Sequence, residues 1–85
     1  MEDEKLEIAK RYLVPKQIVK NGLKDYKIKL SDAVLKKVIS EYTREAGVRT
    51  LEKTIAKICR KMAYQVVEES VETPKVTVRN LPDYL

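Results

Sequence analysis

Apolar residues recur along most of this chain at helical spacing, and in two short places they alternate instead. Between Glu4 and Leu13, the positions Leu6, Ile8, Ala9, Tyr12 and Leu13 are separated by charges in the rhythm of an amphipathic helix. Val14-Pro15 interrupts that rhythm. Proline lacks an amide donor and disfavours helix at the residue before it, so a kink or a fresh helical start is expected there. The helical pattern resumes from Pro15 to Lys20, and Asn21-Gly22 reads as its C-terminal stop. Val34, Leu35, Val38, Ile39 and Tyr42 mark another helical face, with Ser31-Asp32 placed to cap its start. The longest helix is expected from Val48 to about Glu68, on the order of 30 Å at about 1.5 Å per residue. Its residues Leu51, Ile55, Ile58, Met62 and Val66 share one face, which must be buried.

Two segments carry the period of a strand: Tyr26-Lys27-Ile28-Lys29-Leu30, and Lys75-Val76-Thr77-Val78-Arg79 after a turn at Glu72-Thr73-Pro74. Asn80 is placed to cap a final short helix, Leu81 to Leu85, in which Pro82 occupies the first turn, where its missing donor costs nothing. The fold class expected is mainly α: a compact bundle of about four helices with a small two-stranded sheet at one end. Two helices lie between the strands in sequence, which points to parallel pairing.

Eighty-five residues make one domain, residues 1–85, with a single modest core. No apolar run approaches the roughly 20 residues of a membrane span, and the polar, acidic Met1-Glu2-Asp3-Glu4-Lys5 is not a signal peptide. Cys59 is the only cysteine, so no intramolecular disulfide can form; it reads as a small core residue. The five tyrosines, Tyr12, Tyr26, Tyr42, Tyr64 and Tyr84, read as residues at the margin of the core. The chain has no histidine and only two glycines, Gly22 and Gly47. That excludes histidine-based triads, Cys/His metal sites and a glycine-rich phosphate loop. Ser31 reads as a cap, and Ser40 and Ser70 have nothing nearby to activate them, so catalysis by this chain alone is not expected.

The formal net charge of +5 suits an anionic partner or simply a lysine-rich solvated exterior. More specific is Tyr42-Thr43-Arg44-Glu45-Ala46-Gly47-Val48-Arg49-Thr50-Leu51-Glu52. Gly47 allows a tight entry to the long helix, and Arg49 falls in its first turn. A cation there opposes the helix dipole by about 0.3–1 kcal/mol, and a bound anion would reverse the sign. Two readings stay open on physical grounds: Arg49 grips a phosphate, or it bends into solvent or pairs with Glu45 or Glu52.

The segment from Tyr42 to Arg49, followed by Leu51-Glu52 and Ile58-Cys59-Arg60-Lys61, resembles the small α-helical lid subdomain of the ATPase module in Lon-type proteases. The run from Ile8 to Gln17 is similar to the first helix of that subdomain, and Val76-Thr77-Val78 with Asn80-Leu81 and Tyr84-Leu85 fits the junction before the protease domain. The likeness extends from Glu2 to Leu85, with two separate motifs in order. It implies an AAA+ C-terminal lid in which Arg49 is the sensor-2 residue, reaching the γ-phosphate of ATP held by a large ATPase domain, with Val48 near the adenine side. It also implies a parent ATP-dependent Ser–Lys endopeptidase that uses ATP with magnesium. The implied partners are the large ATPase and protease domains of the same chain and neighbouring subunits of a homo-oligomeric ring, and the implied place is a bacterial cytoplasm or a mitochondrial matrix. The nucleotide-binding loops, the arginine finger and the proteolytic dyad are absent here, so ATP binding by this piece alone is expected to be weak or undetectable.

A rival reading comes from a basic stripe. Arg49, Lys53, Lys57 and Arg60 lie opposite the apolar face, with Lys61 at the margin and Arg44 just upstream. Such a face can track the phosphates of double-stranded DNA. Glu45 and Glu52 dilute it.

Overall fold

A computed structural model describes residues 2–43 and 47–85. Three long helices and one short turn of 3-10 helix account for the regular structure among them. Helix α1, residues 2–20, is continuous: an α segment Glu2–Ile8, a π-wound turn Ala9–Leu13 and a second α segment Val14–Lys20. The fresh start expected at Val14-Pro15 is there, as the first turn of the second α segment, but the helix runs through it without interruption. In the π turn the amide of Val14 bonds to the carbonyl of Ala9, five residues back, and the wider turn makes room for the Pro15 ring, which sits in the first turn of the second α segment.

Asn21 and Gly22 end α1 as expected. Gly22 has φ +71°, the amide of Leu23 bonds to the Ile18 carbonyl (2.8 Å) and that of Gly22 to Val19 (3.1 Å). This is the paired closure that glycine permits because it has no Cβ, and it turns Leu23 into the core.

Helix α2, residues 32–42, starts at Ser31, whose Oγ accepts from the amide of Val34 (3.2 Å). Its α segment Asp32–Lys37 passes into a π turn, Val38–Tyr42. Buried Thr43 closes it, its hydroxyl donating to the Ile39 carbonyl at 3.1 Å. Helix α3 is Arg49–Glu68. Leu51, Ile55, Ile58, Cys59 and Met62 on its inner face are at most 1% exposed, while Val66 is only partly buried. Ala9, Leu13 and Val14 of α1 and Val34, Leu35, Val38 and Ile39 of α2 join this face in the core. After α3, Ser70 adopts a left-handed φ of +55° and the Val71 amide returns to the Gln65 carbonyl (2.9 Å).

The expected two-stranded sheet is not there, and neither is a four-helix bundle. The described residues contain no strand. The side-chain alternation sorts inside from outside only in part: Ile28, Leu30 and Val76 are buried and Lys27, Lys29, Lys75 and Thr77 exposed, but Tyr26 and Val78 are exposed as well. The backbone, however, finds other partners. Asn80 accepts from the Thr77 amide through Oδ1 (2.7 Å) and donates through Nδ2 to the Lys75 carbonyl (2.9 Å), while Thr77 Oγ1 accepts from the Asn80 amide (3.1 Å). One side chain thus occupies the polar groups that a neighbouring strand would use. Asn80 therefore reaches back rather than forward. It makes no side-chain cap for the 3-10 turn Leu81–Tyr84, which fixes Leu81 and Tyr84 in the core. The helix count falls from four to three because the last expected helix is a single 3-10 turn.

Asn80→Ala removes this clip, and its exposed hydrogen bonds set an expected cost of about 1 kcal/mol. Urea unfolding of the domain measures it; a midpoint equal to that of the unmodified chain would show that the clip carries no stability.

Candidate functional site

The entrance to α3 has no side-chain cap. Val48 stands at the cap position with φ −110° and ψ 2°, half-buried and packed against the core, and its carbonyl accepts from the Glu52 amide (2.9 Å). Arg49 follows, exposed, and none of the described carboxylates forms an ion pair with it. The alternative pairing with Glu52 is not adopted, and Glu45, like Arg44 and Ala46, lies outside the described residues.

Arg49 opens onto a cleft of about 440 Å³ between α1 and α3. Gln17, Lys20 and Asn21 line it from the end of α1, and Arg49, Glu52, Lys53, Ala56 and Arg60 from α3. Residues 49, 53, 56 and 60 share a face because they repeat at three and four. The cleft thus gathers four cations and one carboxylate, and small Ala56 leaves its floor open.

That carboxylate is already engaged. Lys16 Nζ lies 2.8 Å from Glu52 Oε2, and Gln17 Nε2 donates to the same oxygen at 3.2 Å. Gln17 is 5% exposed, and Asn21 Nδ2 donates to its carbonyl at 2.8 Å. The Lys16 hydrogen bond holds Glu52 below the usual carboxylate range; desolvation opposes it, and the Gln17 hydrogen bond and the fields of Lys16 and Lys20 add to the lowering. None of Lys16, Gln17, Lys20 or Asn21 is evident as a site residue from sequence. The available signal was Gln17, which continues the buried four-residue step Ala9, Leu13 as a polar residue at a core position.

The basic stripe divides. Arg49, Lys53 and Arg60 face the α1 cleft. Lys57 donates to the Leu85 carbonyl (3.1 Å), and Lys57 and Lys61 border a second depression that also holds Glu69 and Asp83. Arg60 lies between the two. Cys59 is fully buried, and burial pushes its thiol up to about 11, so it is chemically quiet. The described residues contain no cluster of three or more side chains suited to a metal ion, and no helix among them is long and apolar enough to cross a membrane.

Three helices with a cationic cleft at the mouth of the longest make up the site's setting. A family model described as the Lon protease AAA+ ATPase lid domain matches residues 19–75. The Lon protease of Desulforamulus reducens is 54% identical over 84 residues, covering 99% of this chain and 10% of that protein. The Lon protease of Clostridioides difficile is 52% identical over 86 residues, 100% of this chain and 11% of that protein. Lon protease 2 of Thermus thermophilus is 46% identical over 84 residues. The chain belongs to the Lon protease lid family, and it spans about a tenth of the length of the curated relatives it matches.

The depressed Glu52 carboxyl fixes the sign of a pH effect. Its ion pair stabilises the fold above the unfolded carboxylate value of about 4.3 and is lost as pH falls through the lower folded value. Glu52→Gln should therefore lower the thermal midpoint at pH 7, with the gap to the unmodified domain narrowing as pH falls below the usual carboxylate range. A gap that keeps the same size as pH falls would exclude the charge as its source.

Proposed function

We propose that this domain is a nucleotide-sensing lid, residues 1–85, which contributes Arg49 as the sensor-2 residue to ATP held by the large ATPase domain of the same chain. The parent on this reading is an ATP-dependent serine protease, working as a ring of identical subunits in a bacterial cytoplasm. The observation that carries the reading is Arg49 itself: exposed, without a described carboxylate partner, at an uncapped helix entrance beside Lys20, Lys53 and Arg60. Free amides, helix dipole and guanidinium all favour one anion there. A clamp formed with a triphosphate and lost with a diphosphate gives two domain arrangements different energies, which is what a lid needs to turn hydrolysis into motion. Val48 offers its exposed part to the adenine side. Magnesium enters this reading with ATP, in the parent enzyme.

Arg49→Ala in a full-length Lon protease carrying this domain should reduce ATP hydrolysis and ATP-driven proteolysis by about ten- to a hundred-fold, the worth of a charged hydrogen bond. The isolated domain should keep its thermal midpoint, since Arg49 is exposed. ATP turnover at the unmodified rate would end the assignment.

The second reading, weak sequence-independent binding of double-stranded DNA, gains one observation: Lys20 of α1 joins Lys53 and Arg60 in the same cleft. Arg44, Lys57 and Lys61 were its other candidates; Lys57 is tied to Leu85, and acidic Glu69 and Asp83 flank Lys61. Titration of the domain with duplex DNA decides it. Binding at 50 mM salt that falls steeply by 200 mM would support phosphate contacts, and no binding at the lower salt would remove the idea.

A further inference from the structure

Glu52 follows Arg49 by three residues, a spacing at which side chains on one helix meet. Left to α3 alone, the carboxylate would lie within reach of the guanidinium and compete with any phosphate for it. The structure has it elsewhere. Glu52 Oε2 is held from α1 by Lys16 at 2.8 Å and Gln17 at 3.2 Å, and no described carboxylate pairs with Arg49.

We propose that Lys16 is a positioning residue: with Gln17 it draws Glu52 across to α1 and so keeps Arg49 available to a phosphoryl group. The proposal deepens the reading of Arg49 as a phosphate clamp and rests on it. Its geometry has a fixed side and an adjustable side. Gln17 is buried and held by Asn21, whose Nδ2 reaches both the Gln17 carbonyl (2.8 Å) and its Oε1 (3.4 Å). Lys16 keeps 60% of its side chain exposed, so the core does not depend on it. A neutral amide alone is a weaker hold on a carboxylate than an ammonium. Without the Lys16 charge, Glu52 is drawn to the guanidinium one turn back on its own helix. Lys20 contributes its field to Glu52 but makes no hydrogen bond to it, and so does not replace Lys16. The same pull on Glu52 is evident in its lowered pKa.

The test uses a full-length Lon protease carrying this domain. Lys16→Met should raise the KM for ATP hydrolysis, and weaken binding of a slowly hydrolysed ATP analogue, by about two- to five-fold, the range an exposed ion pair can supply. The double variant Lys16→Met/Glu52→Gln removes the competitor, and both quantities should return to the unmodified level. A single variant indistinguishable from the unmodified enzyme overturns the proposal. So does a double variant as weak as the single, because that result assigns Lys16 a role in stability alone. Arg49→Ala separates the two levels of the argument: if it binds and hydrolyses ATP normally, the clamp reading fails, whereas a defective Arg49→Ala beside an unaffected Lys16→Met removes only the positioning role.

Discussion

Burial of one face of α3 governs everything else in this domain. Leu51, Ile55, Ile58, Cys59 and Met62 give the other helices a continuous apolar wall, and each lies at 0 or 1% exposure. At about 1.5–3 kcal/mol for each large side chain fully buried, this stripe is the main source of stability in so short a chain. Its direction also settles where charge can go. With the inner face committed to the core, Arg49, Lys53 and Arg60 are left on the outer side, where the end of α1 stands beside them. The cationic cleft is thus a consequence of core packing as much as of local sequence.

The end of α1 gives that cleft its chemistry. A helix entrance carrying Arg49, with a glutamate three residues on, could neutralise itself. Lys16 and Gln17 prevent this by engaging the carboxylate from a different helix. Gln17 can do so from a nearly buried position because Asn21, at the glycine-assisted stop of α1, holds it. A residue that ends a helix and a residue that lines the site are therefore parts of one arrangement.

Much of the architecture was legible in the sequence, and the failures share a cause. Period and capping signals locate the inner face of α3, the Ser31 cap and the Gly22 stop, because each depends on residues within a turn of one another. The alternation at Ile28–Leu30 and around Val76 sorted inside from outside only in part and gave the wrong hydrogen bonding. A period of two reports where side chains point, and says nothing of which group receives the backbone amides. Asn80 took them. At Pro15 the expected fresh start is present, and a wider turn just before it keeps the helix continuous. At the site, Arg49 could be singled out from its place at the helix entrance, whereas Lys16 and Lys20 could not. Their role depends on how α1 lies against α3, which no local pattern encodes.

The π turn at Ala9–Leu13 has a geometric consequence for the site. Successive residues of a helix are offset by about 100° around its axis, so the number of residues in that turn sets the azimuth of everything after it. Ala9 and Leu13 face the core from within the turn, and Lys16, Gln17 and Lys20 come after it. One residue fewer between them would leave the first half of α1 seated and swing those three side chains by more than a quarter of a circle, away from Glu52. Chain length in this stretch is therefore as much a determinant of the cleft as the identity of any residue lining it.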